Sequence, residues 1–303
     1  MNEKQRSELA EILTKGIMFN CSMDQYTTFR VGGKAEAVCF PGELNLLRQT
    51  ISYLHNEDIP YLVVGKGSNL LVKDEGIEGV VIILGGKLGA VEEVGAKDNI
   101  LSAGGGLSIA KLLSCCGIEG LTGLEFLAGI PGTVGGAVFM NAGAFGKEIG
   151  STVHEIHVVT GKGEDTVIAG SRVNFSYRKS SLPKGTVIHG VNFKLHKDHK
   201  DKIAGRIVDY LEKRKKSQPI DLPSGGSVFR NPPGDYAGRL IEKAGLKGTR
   251  VGGAMISTKH ANFIVNIGDA KAEDIIMLMN LARDRVREET GIHLEPEIKV
   301  VGR

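Results

Sequence analysis

Apolar residues recur at helical spacing in several stretches of the chain. Apolar positions at i, i+3, i+4 and i+7 predict amphipathic helices, and a glycine just past the last periodic residue predicts the end of a helix. The longest stretch ends in this way, at Gly291. The predicted helices cover residues 1–16, 43–58, 106–117, 203–216, 235–245 and 270–291.

Short runs of β-branched and aromatic residues, bounded by turn residues, predict strands. In the middle of the chain such runs follow one another without helices between them, which favours an α+β fold over a repeating βαβ array. The predicted strands cover residues 59–65, 79–84, 154–160, 164–170, 186–195 and 296–302.

A charged stretch, KLHKDHKDK at residues 194–202, interrupts these patterns and predicts a domain junction. A chain of 303 residues is long enough for two domains of about 150 residues each. We expect one domain before the junction and a second, smaller α+β domain after it.

The composition is that of an ordinary globular protein, with 41% apolar and 24% charged residues. The formal net charge is only +3, and basic residues are interspersed with acidic ones. This distribution excludes the basic surface that nucleic-acid binding requires. We therefore expect small-molecule or protein partners and no nucleic acid.

The first sixteen residues mix both signs of charge and lack the apolar core of a secretory signal. No run approaches the roughly 18 apolar residues of a membrane span. The sequence thus predicts a cytoplasmic protein without a membrane span. Its cysteines, Cys21, Cys39, Cys115 and Cys116, are expected to be reduced thiols, because an adjacent pair lacks the spacing of a zinc site.

The histidines do not form a metal-binding pattern. His154 and His157 fall on opposite faces of a predicted strand, while His196 and His199 lie in the charged junction. We expect no metal.

Residues 127–146, LAGIPGTVGGAVFMNAGAFG, contain no charged side chain but six glycines and four alanines. Further glycine clusters occupy residues 64–72 and 102–108. None forms a P-loop or a GxGxxG dinucleotide fingerprint. Glycine nevertheless lets backbone N–H groups converge on an anion, and Lys66, Ser68 and Asn69 add side-chain donors. A large phosphorylated cofactor explains three clusters better than three tight turns do.

Six segments, in order along nearly the whole chain, resemble the UDP-N-acetylenolpyruvoylglucosamine reductase family. They are TTFRVGG (27–33), VGKGSNLLV (64–72), LAGIPGTVGGAVFMNAGA (127–144), FSYRKS (175–180), GGSVFRNP (225–232) and LEPEIKVVG (294–302). The chain is similar to the shorter (type II) branch of the family, because no long insertion follows Arg178.

The resemblance implies a two-lobed FAD-binding domain of the vanillyl-alcohol-oxidase (PCMH) type over residues 1–195. A C-terminal substrate-binding domain over 196–296 and a terminal strand over 297–303, returning to the first domain, would complete the chain. FAD would be bound noncovalently, with its pyrophosphate along residues 67–70 and 129–136. The implied cofactor-binding residues are Arg30, Gly65, Lys66, Gly67, Ser68, Asn69, Leu70, Gly129, Ile130, Pro131, Gly132, Thr133, Gly135, Gly136, Asn141 and Gly143.

The implied reaction uses NADPH to reduce the flavin and transfers hydride to the enolpyruvyl group of a UDP-sugar in peptidoglycan precursor synthesis. Hydride transfer requires such a carrier, because no amino-acid side chain supplies hydride. By motif position Arg178 would hold the substrate carboxylate and Ser227 would donate the proton. Glu297 would be protonated, or would orient a water or the serine. Substrate contacts are expected from Tyr177 and Asn231 by motif position. Lys215, with Arg214 and Lys216, would either neutralise the phosphates of the UDP part or form a basic helix end.

Local patterns predict how these catalytic residues are presented. Period-two alternation in NFSYRKS places Arg178 on the strand face opposite Phe175 and Tyr177. The glycines at 225 and 226 allow a sharp turn before Ser227, and Ser224 is expected to be a turn residue. In LEPEIKVV, alternation places Glu297 with Glu295 and Lys299 on one face.

Two other functions fit parts of the pattern. Another FAD-dependent oxidase or dehydrogenase of the same fold would use the glycine loops but assign other roles to the catalytic segments. A non-catalytic nucleotide-binding protein would need the glycine loops alone.

Overall fold

The computed structural model describes residues 1–95 and 98–303. Its helices begin and end close to the predicted positions, apart from one additional short helix in the glycine-rich span. They are α1 (Glu3–Leu13), α2 (Leu44–Asn56), α3 (Ile109–Glu119), α4 (Val134–Phe139), α5 (Lys200–Ser217), α6 (Ala237–Lys243) and α7 (Ala272–Thr290).

The strands are short, and many of them lie where the sequence analysis predicted no strand. They are β1 (Ile17–Ser22), β2 (Lys34–Cys39), β3 (Tyr61–Val63), β4 (Leu70–Val72), β5 (Ile77–Ile82), β6 (Val91–Gly95), β7 (Ile100–Gly104), β8 (Leu121–Thr122), β9 (Gly143–Ala144), β10 (Lys147–Glu148), β11 (Val153–Val159), β12 (Asp165–Ala169), β13 (Phe175–Ser176), β14 (Lys179–Ser180), β15 (Val187–Lys194), β16 (His196–Lys197), β17 (Arg250–Val251), β18 (Ala254–Ile256), β19 (Ile264–Asn266) and β20 (Lys299–Val301).

Helix ends follow local capping chemistry. At the start of α1 the Asn2 side chain accepts a hydrogen bond from Gln5 N at 2.8 Å, and the Gln5 side chain accepts one from Asn2 N at 3.0 Å. These bonds form a reciprocal capping box. Gly291 ends α7 with a left-handed backbone at φ 72°, as predicted, because glycine adopts that conformation without a Cβ penalty.

The chain forms two compact units. Unit 1 consists of Met1–Phe19, Glu36–Gly65 and Gly79–Glu212, and unit 2 consists of Asn20–Ala35, Lys66–Glu78 and Lys213–Arg303.

The described residues of unit 1 form two hydrophobic cores. The first lies on the antiparallel sheet β12-β11-β15-β7-β6 and includes apolar residues of α3 and α4. The second combines the apolar faces of α1 and α2 with strands of the sheet β1-β2-β5-β3, in which β3 and β5 are parallel. Leu47, Ile51 and Leu54 of α2 are fully buried at helical spacing, which confirms the predicted amphipathic face.

Unit 2 has one core, formed by α6, α7 and the sheet β17-β18-β19. Its terminal strand β20 pairs in parallel with β4, with Lys299 opposite Leu70. The predicted strand over 296–302 is thus shorter than expected and begins only at Lys299. Ile298 is buried and Val300 is exposed.

Two predictions about local structure are wrong. The strand predicted over NFSYRKS is a hairpin, in which Ser176 of β13 pairs with Lys179 of β14 and Tyr177 and Arg178 form the turn. The glycine-rich span, in which the sequence predicted no helix, contains α4, because the Thr133 side chain accepts a hydrogen bond from Gly136 N and packing outweighs the low propensity of glycine.

None of the helices within residues 1–95 and 98–303 combines the length and apolar character required to cross a bilayer. Within the same residues, no group of three or more His, Cys, Asp or Glu side chains is arranged to hold a metal ion.

A buried carboxylate connects α5 to the segment that precedes the glycine-rich span. Glu125 is 4% exposed and accepts hydrogen bonds from Thr122 Oγ1 at 2.6 Å, Gly123 N at 2.8 Å and Arg206 Nε at 3.0 Å. Arg206 also donates to Asp198 at 2.7 Å. Burial raises the pKa of Glu125, but these hydrogen bonds outweigh burial and leave that pKa below its ordinary value.

We expect Glu125→Ala to lower the free energy of unfolding by about 3 kcal/mol, because it leaves Arg206 and buried donors without their carboxylate. The ionised Glu125 carboxylate stabilises the folded protein, because its pKa is lower in the folded than in the unfolded state. This stabilisation is present above the pKa of the unfolded state, near 4.3, and is lost as the pH falls through the pKa of the folded state. Urea unfolding of wild type and Glu125→Gln from pH 7 to pH 3 should therefore show a difference that shrinks on acidification. The exposed Glu11→Gln control should show no difference, and a gap that persisted at pH 3 would contradict the charged role of Glu125.

Candidate functional site

Two of the three glycine clusters meet in unit 1. Gly135 N donates to Gly105 O at 2.8 Å, and Val134 N donates to Leu107 O at 2.8 Å. Ile109 N donates back to Gly132 O at 3.0 Å. The loops before α3 and α4 are therefore fixed to each other by their main chains.

The glycines of the 129–136 loop differ in what surrounds them. A Cβ on Gly135 would approach Gly105 O and Ile188 O to 3.1 Å, so this glycine allows close packing inside unit 1. A Cβ on Gly132 or Gly136 would make only ordinary van der Waals contacts, at 3.9 and 3.4 Å, and the backbone is half-buried at Gly132 and exposed at Gly136. A loop packed on one side and open along its backbone on the other fits an extended phosphorylated cofactor.

Other predicted cofactor residues border the same loop in unit 1. A Cβ on Gly65 would approach Thr133 Oγ1 to 2.4 Å, so that side chain and the end of the β3 segment are in close contact. Gly129 has a left-handed backbone, with φ 77°. The remaining members, Ile130, Pro131 and Gly143, lie along the span around α4.

The predicted cofactor residues 66–70 belong to unit 2. Gly67 is left-handed and so close to Tyr26 O that a Cβ would clash with it. Asn69 Nδ2 donates to Glu297 O at 3.2 Å, and Lys299 N donates to Asn69 O at 3.1 Å. The structure thus brings a predicted cofactor residue next to the predicted catalytic Glu297. Lys66 and Arg30 are exposed, Ser68 is half-buried, and Leu70 begins β4.

Ser227 follows two glycines that are required for different reasons. A Cβ on Gly225 would overlap the Phe29 ring, and Gly226 is left-handed at φ 78°. This confirms the sharp turn that the sequence predicted before Ser227. Ser224 lies before the turn, where its carbonyl accepts a hydrogen bond from Thr28 Oγ1 at 2.6 Å.

The residues after Ser227 are held from two sides. On one side lies Asn262, which is 3% exposed. Its side-chain amide donates to Phe229 O at 2.8 Å and accepts from Phe229 N at 2.9 Å. Its main-chain carbonyl accepts from Val228 N at 2.8 Å. On the other side, Glu297 N donates to Val228 O at 2.8 Å. Ser227 and Glu297 therefore adjoin one rigid piece of backbone.

Ser227 and Asn231, both predicted site residues, line one cavity of about 360 Å³ in unit 2. The α6 helix and the loop between β18 and β19 supply the rest of its wall. That wall consists of Tyr236, Gly238, Arg239, Glu242, Lys259, His260, Ala261 and Asn262.

The cavity carries two cationic side chains. Arg239 forms an ion pair with Asp235, which lowers the pKa of that carboxyl to about 2. Lys259 Nζ donates to Lys215 O at 2.5 Å. Burial and the nearby Lys247 lower the pKa of His260, so its imidazole is neutral near pH 7. Glu242 lines the same wall, but its carboxylate pairs with Lys247 at 2.6 Å. Because Asp235 and Glu242 each have a cationic partner, Lys259 adds positive charge suited to an anionic ligand such as a diphosphate.

Arg178 lies at the tip of the β13–β14 hairpin in unit 1. Its backbone is left-handed, with φ 57°, which is unfavourable for a residue with a long side chain. Its Nη1 donates to Gly143 O at 3.1 Å, and its guanidinium lies over the Tyr177 ring at 5.0 Å. Such a strained position is typical of a functional residue that the surrounding structure holds in place.

Asn141 is 0% exposed, although the sequence placed it among the cofactor-binding residues. Its amide is bonded to three protein groups, at Glu148, Ser176 and Gly150. This geometry favours a structural task for Asn141 over the predicted contact with FAD.

Several residues of the site escaped the sequence analysis. Arg239, Lys259 and Tyr236 were missed because their helix and loop have no recognised motif. Glu148 was missed although it is the first acidic residue after the uncharged span, a signal that an analysis of that span could have used. Lys215, in contrast, was predicted, yet it reaches the cavity wall only through its carbonyl bond to Lys259.

Comparison with known proteins identifies both parts of the chain. A family model described as "UDP-N-acetylenolpyruvoylglucosamine reductase, C-terminal domain" matches residues 218–301, and one described as "FAD binding domain" matches residues 35–169. The UDP-N-acetylenolpyruvoylglucosamine reductase of Caldanaerobacter subterraneus subsp. tengcongensis is 39% identical over 297 residues, 97% of each chain.

Solved structures agree with these matches. The crystal structure of UDP-N-acetylenolpyruvylglucosamine reductase from Thermus caldophilus is 40% identical and gives a TM-score of 0.82, covering 93% of this chain and 98% of that one. Alkyldihydroxyacetonephosphate synthase, at 15% identity and a TM-score of 0.50 over 65% of this chain and 41% of that one, shows the fold alone.

The predicted resemblance and fold class are confirmed by these findings. The chain combines an FAD-binding domain of the vanillyl-alcohol-oxidase type with the C-terminal domain of the reductases. The chain belongs to the UDP-N-acetylenolpyruvoylglucosamine reductase family.

Proposed function

We propose that this protein reduces the enolpyruvyl group of UDP-N-acetylenolpyruvoylglucosamine to give UDP-N-acetylmuramate, a peptidoglycan precursor, in the cytoplasm. The observation that carries the proposal is the position of Ser227, held by a rigid backbone at the wall of a cavity that also carries cationic side chains. Family membership favours this reaction over another flavin-dependent oxidation and over nucleotide binding without catalysis.

Noncovalently bound FAD would supply the hydride-transfer chemistry between NADPH and the substrate. In unit 1 the accessible backbone at Gly132 and Gly136 would hold the cofactor. The family resemblance assigns residues 66–70 to the cofactor as well. In this proposal residues 1–195 bind FAD, residues 196–296 bind the substrate, and residues 297–303 complete the first domain.

Ser227 donates a proton from Oγ to the substrate carbon next to the one that receives hydride. A serine hydroxyl is a weak acid, but a carbanion stabilised by one carboxylate is a strong base, so the transfer needs no group tuned to neutral pH. Glu297, on the adjoining backbone, orients the serine or a water that returns the proton to it.

Arg178 stabilises the negative charge that develops on the substrate carboxylate. A guanidinium matches a carboxylate in a bidentate geometry, and a cation already in place requires little reorganisation during the reaction. Tyr177, under the guanidinium, limits the orientations that the guanidinium can adopt.

The diphosphate of the substrate is assigned to the cavity in unit 2. Lys259 and Arg239 supply positive charge, and Lys215 is linked to Lys259 through its carbonyl. Asn231 lines the same wall, with its Oδ1 accepting from Ala237 N at 3.1 Å. Tyr236 is 68% exposed at this cavity and offers a ring on which a base can stack.

The test is NADPH oxidation by the purified protein with and without UDP-N-acetylenolpyruvoylglucosamine. We expect a yellow protein whose anaerobic NADPH consumption depends on this substrate, with one UDP-N-acetylmuramate formed per NADPH. Substrate-independent reduction of oxygen would indicate a different flavoenzyme. A protein that stays colourless after incubation with excess FAD would overturn the proposal.

A further inference from the structure

The Asn141 side chain uses both amide hydrogens and its oxygen in hydrogen bonds inside unit 1. Nδ2 donates to Glu148 Oε2 at 2.7 Å and to Ser176 O at 3.0 Å, and Oδ1 accepts from Gly150 N at 3.1 Å. Rotating the amide by 180° would oppose its oxygen to a carboxylate and a carbonyl. The neighbours therefore fix the orientation of the amide.

The backbone at this position is as specific as the side chain. Asn141 has φ 44°, in the left-handed region. Among residues other than glycine, asparagine is one of those that adopt this region most readily. Glycine would fit the backbone but supplies no amide. Asn141 is thus suited both to the turn that follows α4 and to a buried three-way junction.

The three partners of Asn141 belong to segments that surround Arg178. Ser176 lies on β13 of the Arg178 hairpin, and Glu148 lies on β10, opposite Gly143 of β9. Gly143 O in turn accepts from Arg178 Nη1 at 3.1 Å. The contacts form a closed ring from Asn141 through the hairpin to Arg178, and back through Gly143 and Glu148.

Two further contacts attach the same hairpin to the end of α4 and to the segment that follows β10. Ser180 Oγ donates to Phe139 O at 2.8 Å. A Cβ on Gly150 would approach the Phe175 ring to 2.5 Å, so that glycine lets the hairpin pack closely. The Asn141 junction bonds Ser176, the last residue of β13 before the turn that carries Arg178.

We propose that Asn141 and Glu148 are positioning residues that hold the Arg178 hairpin in its working geometry. The inference rests on the proposed function, because it assigns Arg178 to the substrate carboxylate. Neither residue touches the reacting atoms in this proposal. They act through the hairpin, with Glu148 accepting from Asn141 and Asn141 donating to Ser176.

The test measures the two half-reactions separately in the holoenzyme by anaerobic stopped flow. In Asn141→Asp at pH 8, flavin reduction by NADPH should remain within about twofold of wild type, while reoxidation by the UDP-enolpyruvyl substrate should slow by about 10²-fold, the cost of a misplacement near 1 Å. The carboxylates at 141 and 148 would repel each other, and neither could donate to the other.

Acidification should partly restore Asn141→Asp, because two close carboxyls share a proton and one then donates to the other. The ratio of the variant to the wild-type rate should rise at least fivefold between pH 8 and pH 6. Asn141→Leu should show the same loss but no such rise. The other charged side chains on these two pairs of strands are Lys147, Arg178 and Lys179.

If Asn141→Asp does not fold, the Glu148 pair replaces it: Glu148→Ala should lose the substrate half-reaction, and Glu148→Gln should regain most of it, since its carbonyl still accepts from Nδ2. Lys147→Ala, an exposed change on the same hairpin, is the matched control. Equal loss in both half-reactions, or no pH-dependent recovery, would overturn the positioning role. Arg178→Ala distinguishes a failure of this inference from a failure of the proposed function. If Arg178→Ala leaves reoxidation intact, the role proposed for Arg178 itself is wrong.

Discussion

Replacing Ser227 with alanine should leave flavin reduction by NADPH within about twofold of wild type and slow reoxidation by the enolpyruvyl substrate by about 10³-fold. General acid catalysis by a positioned side chain contributes about 10²–10⁴ to a rate, and nothing in an alanine replaces the lost proton. The backbone around residue 227 is held by Asn262 and Glu297, so removal of one oxygen leaves the shape of the segment intact.

The measurement is anaerobic stopped flow, in which flavin absorbance is followed first on mixing with NADPH and then on mixing the reduced enzyme with substrate. Ser224→Ala is the control, because Ser224 lies three residues earlier and its known contact is through its carbonyl. This control should keep both half-reactions. If Ser227→Ala slows both half-reactions equally, the residue affects flavin binding or folding and is not the proton donor.

The sequence predicted those elements of the fold whose signals lie within the element itself. Periodicity and end signals predicted α2 and α7, including the left-handed Gly291, because those signals are local. Strand β4 was hidden in a glycine-rich segment, since its residues form a strand only by pairing with β20, more than 220 positions away. Contacts of that range leave no period in the sequence.

The site was predicted unevenly for the same reason. The two glycines before Ser227 indicate a sharp turn in any context, and the structure has that turn. The alternation in NFSYRKS predicted a strand, but the segment forms a hairpin. It does so because Asn141, Gly143 and Phe139, which belong to a distant segment, all form hydrogen bonds with it. The cationic wall around Lys259 likewise forms only when α6 and the β18–β19 loop come together.

The second prediction with a large effect concerns Arg178 and its left-handed backbone. Position 178 is the second residue of a two-residue turn and has φ 57°, where turns favour glycine. A non-glycine residue in the left-handed region costs about 1 kcal/mol or more. A sequence selected for stability alone would place glycine there, so the arginine indicates that function decides this position.

We therefore expect Arg178→Ala and Arg178→Gly to be equally poor enzymes but unequally stable proteins. Both lose the guanidinium and should slow reoxidation by substrate by about 10²–10³-fold, the usual cost of removing a fixed group that stabilises developing charge. Both also lose the bond to Gly143 O and the contact with Tyr177, so these losses cancel in the comparison. Glycine alone relieves the backbone, and its variant should be more stable than the alanine variant by about 1 kcal/mol.

Urea unfolding with saturating FAD in every sample measures the stability difference, and stopped flow measures the two half-reactions. Arg178→Lys tests charge against geometry: a lysine keeps the charge but not the planar, bidentate donor, and should recover only part of the rate. Two findings would contradict this account. One is a glycine variant less stable than the alanine variant, which would show that the backbone at position 178 is not strained. The other is a lysine variant with full activity, which would show that charge alone suffices and that the hairpin need not aim a guanidinium.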